Sequence, residues 1–353
     1  MTRIAICPHL SVEHFRGGEK WVVELANRLV NDGYDVSVNA LPYAPDGERR
    51  VDATAVLDDR IPYEERWRHD LSGVDTGYLF YHPGAMGSFP GAERYVAGIH
   101  SWIYVSPYLH ERHYGLVPTA VKLLYRLAGE YDLARYDVVH TVTPAFETRH
   151  SNVVAIPNFV DAERFSPDRA PLADDFTVLF SAAHIPEKGW DIARRVAANL
   201  PTEIAVLTTG QTETSHIEGM GFLSEDELAR LYARSHVVLH PARVDTDSMV
   251  INEACASGTP VVTSPIISHV RKNGAVIHAG TASEMTAVIR GLRDEFRTHR
   301  ARYEERCRLA RDLADSRRIE RVYPELQRLL VARSVDSGGP NRRLPFELAG
   351  ERS

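Results

Sequence analysis

Two carboxylates and a lysine are the residues whose types and spacing most directly suggest chemistry. In VDTDSMVINEACASGTPVV, residues 244–262, Asp245 precedes Glu253 by eight positions. The pair frames a helix start around Ser248, Met249 and Val250. A helix start offers unpaired backbone N–H groups and the positive end of the dipole, so it suits an anion. Carboxylates repel an anion but accept hydrogen bonds from neutral hydroxyls. The combination fits a ligand that is anionic in one part and hydroxyl-rich in others. Lys188, in IPEKGWDIA, offers a compact positive charge on a flexible stem, and only four of the 41 basic residues are lysine.

Gly17 and Gly18, in RGGEKWVVELANRL, open another helix without side chains that would keep a phosphate or sugar from the backbone. Glu19 and Lys20 read as surface residues of that helix start. His100 ends the strand-like RYVAGIH, and His9 and His82 follow other strand-like runs. A histidine so placed serves either a site or the core. The chain has 16 histidines, yet no spacing marks a metal cluster.

The elements that must position these groups alternate in type. RIAIC is followed by a glycine loop, then by a helical stripe of Trp21, Val22, Leu25, Ala26, Leu29 and Val30 that stops at Asn31 to Gly33. YDVSVNAL then alternates as a strand does, completing one βαβ unit and favouring a parallel sheet. Further strands are expected at GYLFYH, RYVAGIH and YDVVHTVT. The segment IPNFVDAERFSPDRAPLADD, rich in proline and charge, marks a domain boundary near residues 165–175. A second set follows with FTVLFSA, EIAVLT, HVVLH and TPVVTS as strands, and one helix opens at Ser224 with Glu227 in capping-box spacing. The expected fold class is α/β, with two doubly wound domains in tandem. The tail VDSGGPNRRLPFELAGERS has the composition of a disordered segment.

Composition sets outer bounds. A length of 353 residues suits two domains, and 44% hydrophobic with 25% charged residues suits a globular protein. The formal charge of −7 argues against general nucleic-acid binding. No apolar run is long enough to cross a bilayer, and MTRIAICPHL reads as a strand rather than a signal peptide, so a cytoplasmic location is expected. Cys7, Cys255 and Cys307 have neither disulfide-framework nor zinc-site spacing. The dinucleotide G-x-G-x-x-G, the P-loop, the G-x-S-x-G elbow and H-E-x-x-H are all absent from the sequence.

Taken in order, RGGEKWVVELANRL, IPNFVDAERF, IPEKGWDIA and GFLSEDELARLYARSHVVLHPARVDTDSMVINEACASGTPVV resemble the large family of retaining glycosyltransferases with the E-x7-E motif, the group 1 or family 4-like enzymes. The resemblance runs from about residue 3 to about residue 330. It implies a GT-B fold, two Rossmann-like domains facing a central cleft. It also implies transfer of a hexose-type sugar from a nucleotide-diphosphate sugar, with retention and without a resident cofactor or metal. Residues 1–168 would form the acceptor domain and 169–315 the donor domain. A helix within 316–333 could pack back on the first domain, with a disordered tail at 334–353.

Carried over residue by residue, the resemblance assigns Glu253 to the ribose hydroxyls and Asp245 to the transferred sugar. Lys188 and the Ser248–Met249–Val250 amides meet the diphosphate, beside Gly17 and Gly18. His100 positions the donor sugar and the acceptor, with front-face attack as the expected mechanism. Asp245 stands where the family usually has glutamate, and its side chain is one methylene shorter. Ala183 stands where an arginine is usual; His184, Arg243 and Arg271 are candidate replacements for its charge. SPIISHVRKNGAV lacks the family's glycine pair. The aromatic and basic stretch 100–136, with Trp102, Tyr104, Tyr108, Arg112, Lys122 and Arg126, could contact a membrane surface. The acceptor is then a lipid-linked or other glycan, and the location could be peripheral at the inner face of the cell membrane. Because Ala183 removes a phosphate contact, the alternative is a weak or inactive GT-B-shaped protein that binds a nucleotide sugar or a partner. A third possibility is another enzyme on this fold, such as a nucleotide-sugar epimerase.

Overall fold

The structure is a computed structural model that describes residues 1–43, 47–100, 127–143, 146, 150–265 and 273–332. Its strands form two wholly parallel sheets. The first contains β1 (Arg3–Cys7), β2 (Asp35–Ala40), β3 (Tyr63–Glu65), β4 (Thr76–Phe80), β5 (Arg94–Ile99), β6 (Val138–Thr141) and β7 (Val153–Ala155), in the order β3-β2-β1-β4-β5-β6-β7. The second contains β8 (Thr177–Phe180), β9 (Ala205–Thr208), β10 (Glu218–Gly219), β11 (Val237–His240), β12 (Val261–Thr263) and β13 (Val276–His278), in the order β10-β9-β8-β11-β12-β13.

Each sheet therefore begins at its centre, winds to one edge, and crosses back. The reversal leaves a crevice beyond the carboxyl ends of β1 and β4 in the first sheet, and of β8 and β11 in the second. Open α/β sheets bind ligands at such points. The central strands are apolar on both faces, as strands covered by helices on both sides must be: Ile4 to Cys7 and Val237 to His240 are all buried.

Helix Gly17–Asn31 buries Trp21, Val22, Leu25, Ala26, Leu29 and Val30 against the first sheet, and the left-handed Gly33 (φ 88°) turns the chain into β2. In the second domain, helix Glu225–Arg234 starts with a capping box: Glu227 Oε2 accepts from Ser224 N at 2.8 Å, and Ser224 Oγ accepts from Glu227 N at 3.3 Å.

The chain crosses between the sheets twice, and the crossings lie side by side. Val160 N–H donates to Arg317 O at 2.8 Å, and Ile319 N–H donates to Val160 O at 3.0 Å. After the second crossing, helix Ile319–Val331 returns to the first core and adds Ile319, Val322, Tyr323, Leu326, Leu329 and Leu330 to it. Tyr323 Oη donates to Asp32 at 2.6 Å, and buried Arg94 donates to Leu329 O at 2.8 Å. A spent helix face thereby closes the first sheet's core instead of the second's.

Most of the aromatic and basic stretch after His100 lies outside the described residues, as do Arg271 and the tail. Among the described residues no helix is long and apolar enough to cross a membrane.

Candidate active site

The loop after β8 carries Lys188 in a short turn, Pro186–Lys188, closed by Gly189 at φ 74°. A Cβ on Gly189 would overlap the Pro241 carbonyl oxygen. Glycine here lets the β8 loop lie directly against the loop that follows β11. Arg243 fastens the two loops. Its backbone N–H donates to Glu187 O at 2.8 Å, and its guanidinium donates to Pro186 O at 2.6 Å and to both Asp191 oxygens at 2.6 and 2.8 Å. Arg243 is thus a clamp between the two loops, with its guanidinium paired to Asp191.

The clamp brings Lys188 Nζ within 3.0 Å of Asp245 Oδ2. His240, the last residue of β11, places Nε2 at 3.2 Å from the same oxygen and 3.1 Å from Ser248 Oγ. Burial lowers the His240 pKa against the opposing pull of Asp245, which favours the neutral ring. Asp245 Oδ1 accepts from Thr246 N at 2.9 Å. Its carboxylate is therefore held in one place, next to the one lysine of the loop.

Ser248 caps helix Met249–Ala256, its Oγ accepting from Ile251 N at 3.3 Å. The N–H groups of Met249 and Val250 fall in the first turn, where no intrahelical acceptor exists. Both residues are half-buried. One turn on, Glu253 is 5% exposed. Burial pushes its carboxyl up to about 7, with Glu225 adding to the rise and Lys20 and Arg164 opposing it.

The first domain meets this face from across the cleft. A Cβ on Gly17 would sit 3.5 Å from Met249 Cγ, so the glycine opening of the Gly17–Asn31 helix faces the opening of the Met249–Ala256 helix. Thr246 Oγ1 donates to the His100 carbonyl at 3.0 Å. His100 is half-buried, stacked on Phe80 at 4.2 Å and edge-on to Trp21 at 4.6 Å. Burial holds its pKa well below the usual histidine value, with His140 and His9 adding to the effect.

Glu19 and Lys20 are not surface residues. Glu19 is 5% exposed and accepts from Arg16 N at 2.9 Å, and Lys20 pairs across the domains with Glu225. A helix start that looks solvated in sequence is here pressed against a second domain. His184 also departs from expectation. Its Nε2 lies 2.8 Å from Thr208 Oγ1, its ring stacks on Trp190 at 3.9 Å, and burial lowers its pKa. Burial thus disfavours a positive charge on its ring.

Residues 177–295, the body of the second domain, match the family model described as Glycosyl transferases group 1. Across the whole chain, solved structures agree with the architecture. Anabaena Alr3699/HepE in complex with UDP and glucose superposes with a TM-score of 0.71 at 15% identity, covering 94% of this chain and 99% of that one. Sucrose-phosphate synthase from Thermosynechococcus elongatus gives 0.70 at 14% identity, covering 93% and 98%. WaaG, a glycosyltransferase involved in lipopolysaccharide biosynthesis, gives 0.69 at 14% identity, covering 93% and 100%. No protein of curated function matches by sequence. The chain has the GT-B fold, and its second domain matches the group 1 glycosyltransferase model.

Within this GT-B scaffold the sequence reading missed Asp247. Its side chain is fully buried, and Oδ2 accepts from Asn158 N at 2.6 Å and from Arg317 Nη1 at 2.6 Å. Those donors sit on the two interdomain crossings, so Asp247 ties both to the loop that holds Asp245 and Ser248. Its one sequence signal is a second acid in VDTD, and nothing there distinguishes a buried acid from an exposed one.

Proposed function

We propose that this protein is a retaining glycosyltransferase that moves a hexose-type sugar from a nucleotide-diphosphate sugar to a glycan or lipid-linked acceptor. The observation that carries this reading is the convergence of Lys188, Asp245, the Met249–Val250 amides and Glu253 at the second sheet's crevice, opposite Gly17. Helix-start amides and Lys188 suit the diphosphate and its growing charge as it leaves. Asp245 suits the hydroxyls of the transferred sugar, and Glu253 those of the ribose. The departing phosphate takes the acceptor's proton in a front-face attack, with no cofactor or metal required. The first domain takes the acceptor, and exposed Leu127 and Tyr131, at 53% and 85%, favour a lipid-linked one reached from the cytoplasmic face. UDP leads among the candidate nucleotides, because the similar HepE structures hold UDP and UDP-glucose.

One observation favours a second reading, nucleotide-sugar binding without transfer: Ala183 supplies no charge, burial disfavours one on His184, and Arg243 is paired to Asp191. A thermal-shift screen with UDP, GDP, ADP and their glucose conjugates, followed by donor hydrolysis without acceptor, separates the two. Saturation at about a hundred times Kd adds roughly 2.7 kcal/mol to stability. Glu253→Ala removes that gain if the site is the donor site. Binding with no hydrolysis favours the second reading, and no binding by folded protein refutes both.

A further inference from the structure

Behind His100, three strands of the first sheet carry a continuous chain of polar groups. Tyr78 on β4 places its hydroxyl 2.7 Å from His100 Nε2 and 2.6 Å from His140 Nδ1, and His140 Nε2 lies 2.8 Å from the Ile156 carbonyl. Strand β5 runs between β4 and β6, with Gly98 level with Phe80 on one side and His140 on the other. A Cβ at Gly98 would overlap the Tyr78 hydroxyl. Only a glycine on the middle strand lets the tyrosine reach across it. Tyr78 and His140 are fully buried, so water cannot substitute for either of them.

The direction of each hydrogen bond follows from its far end. A carbonyl oxygen only accepts, so His140 Nε2 carries the proton. Burial holds the His140 pKa at about 4, so the ring is neutral and Nδ1 is a lone pair. The Tyr78 proton must point at that lone pair. A hydroxyl has one proton, so Tyr78 Oη can only accept from His100, whose Nε2 then carries the hydrogen. His100 is neutral as well, which leaves its Nδ1 a hydrogen-bond acceptor. The half-buried His100 ring lies at the domain seam, where its carbonyl takes the Thr246 hydroxyl one residue from Asp245.

We propose that Tyr78 and His140 are positioning residues that lock His100 in its Nε2–H form and present Nδ1 as an acceptor to a hydroxyl of the donor sugar. This rests on the glycosyltransferase reading for its ligand, though not for its tautomer. An acceptor fixed in this way rejects a deoxy sugar, because the bond is lost and the buried edge stays unpaired.

Two-bond proton–nitrogen spectra of protein labelled with 15N-histidine read the tautomer directly, with His100→Gln identifying the His100 signals. The expected result is an unprotonated Nδ1 and a protonated Nε2 at about pH 7.5 and still at about pH 6.5, where a free histidine is half charged. In Tyr78→Phe both tautomers should appear. Its KM for UDP-glucose in donor hydrolysis should rise about three- to tenfold while UDP affinity is unchanged. Gly98→Ala, which displaces the hydroxyl without removing it, should reproduce both effects. A protonated Nδ1 in the wild type, or a Tyr78→Phe spectrum identical to wild type, overturns the proposal. If UDP and UDP-glucose fail to bind the wild type, the glycosyltransferase reading falls, and the spectra still decide the tautomer lock.

Discussion

Glu253→Gln separates binding from stability at the buried carboxylate. In the fold this carboxyl is held at about 7 by burial, against an ordinary value of 4.5. The folded value is the higher one, so the proton favours the fold. That contribution is complete below about pH 4.5 and is lost progressively as the pH rises through about 7. At pH 8 the ionised, buried group costs about 3 kcal/mol relative to its protonated form. Glutamine keeps the shape and cannot ionise. The variant should therefore match wild type near about pH 5 and melt about 4 °C higher near about pH 8. UDP binding should behave in the opposite sense, because a neutral carboxyl is a poorer acceptor for ribose hydroxyls. Wild-type affinity should tighten about tenfold between about pH 6 and about pH 8, following the ionised fraction, and the variant should bind weakly at both. Differential scanning calorimetry and isothermal titration at the two pH values measure the pair of effects. A melting difference that stays constant with pH would refute the assignment of the stability cost to ionised Glu253. A UDP affinity untouched by the substitution would remove the residue from the donor site.

In the proposed function Lys188→Ala should lower turnover by about 10²- to 10³-fold while changing UDP affinity less than tenfold, since its charge would matter most as the diphosphate leaves; hydrolysis kinetics beside calorimetry test this. Gly17→Ala brings only an ordinary contact with Met249, at 3.5 Å, so stability should stay within about 0.5 kcal/mol. In the proposed function donor hydrolysis should nevertheless fall, because the new methyl would occupy space between Gly17 and the diphosphate. Gly189→Ala should do the reverse and cost more than about 3 kcal/mol in urea unfolding. Its φ is 74°, and the added Cβ overlaps the Pro241 carbonyl.

What the sequence made legible depended on how far a signal extends along the chain. Helix Gly17–Asn31 and the Ser224–Glu227 capping box are local patterns, and their residues touch one another as the spacing implies. Strands β3, β7, β10 and β13 run only two or three residues each at or near the sheet edges, too short for a period to show. Lys188, Asp245 and Ser248 could be named because each lies in a loop or helix start directly after a central strand, and Glu253 one helical turn further on, where sequence order and spatial order coincide. Tyr78, Gly98 and His140 could not, because their meaning lies across three strands separated by tens of residues, and register decides it. The same holds for Lys20 and Asp247, which look solvated until the second domain and its crossings are placed against them. The parts read from sequence are therefore those that touch the ligand in the proposed function. The parts that fix the angle, tautomer and spacing of those groups are long-range contacts, so a chain can keep every motif residue and still lose its site through one changed neighbour. Gly98→Ala puts that conclusion to work: it alters no residue assigned to the ligand, yet by displacing one hydroxyl it should alter how His100 meets the sugar.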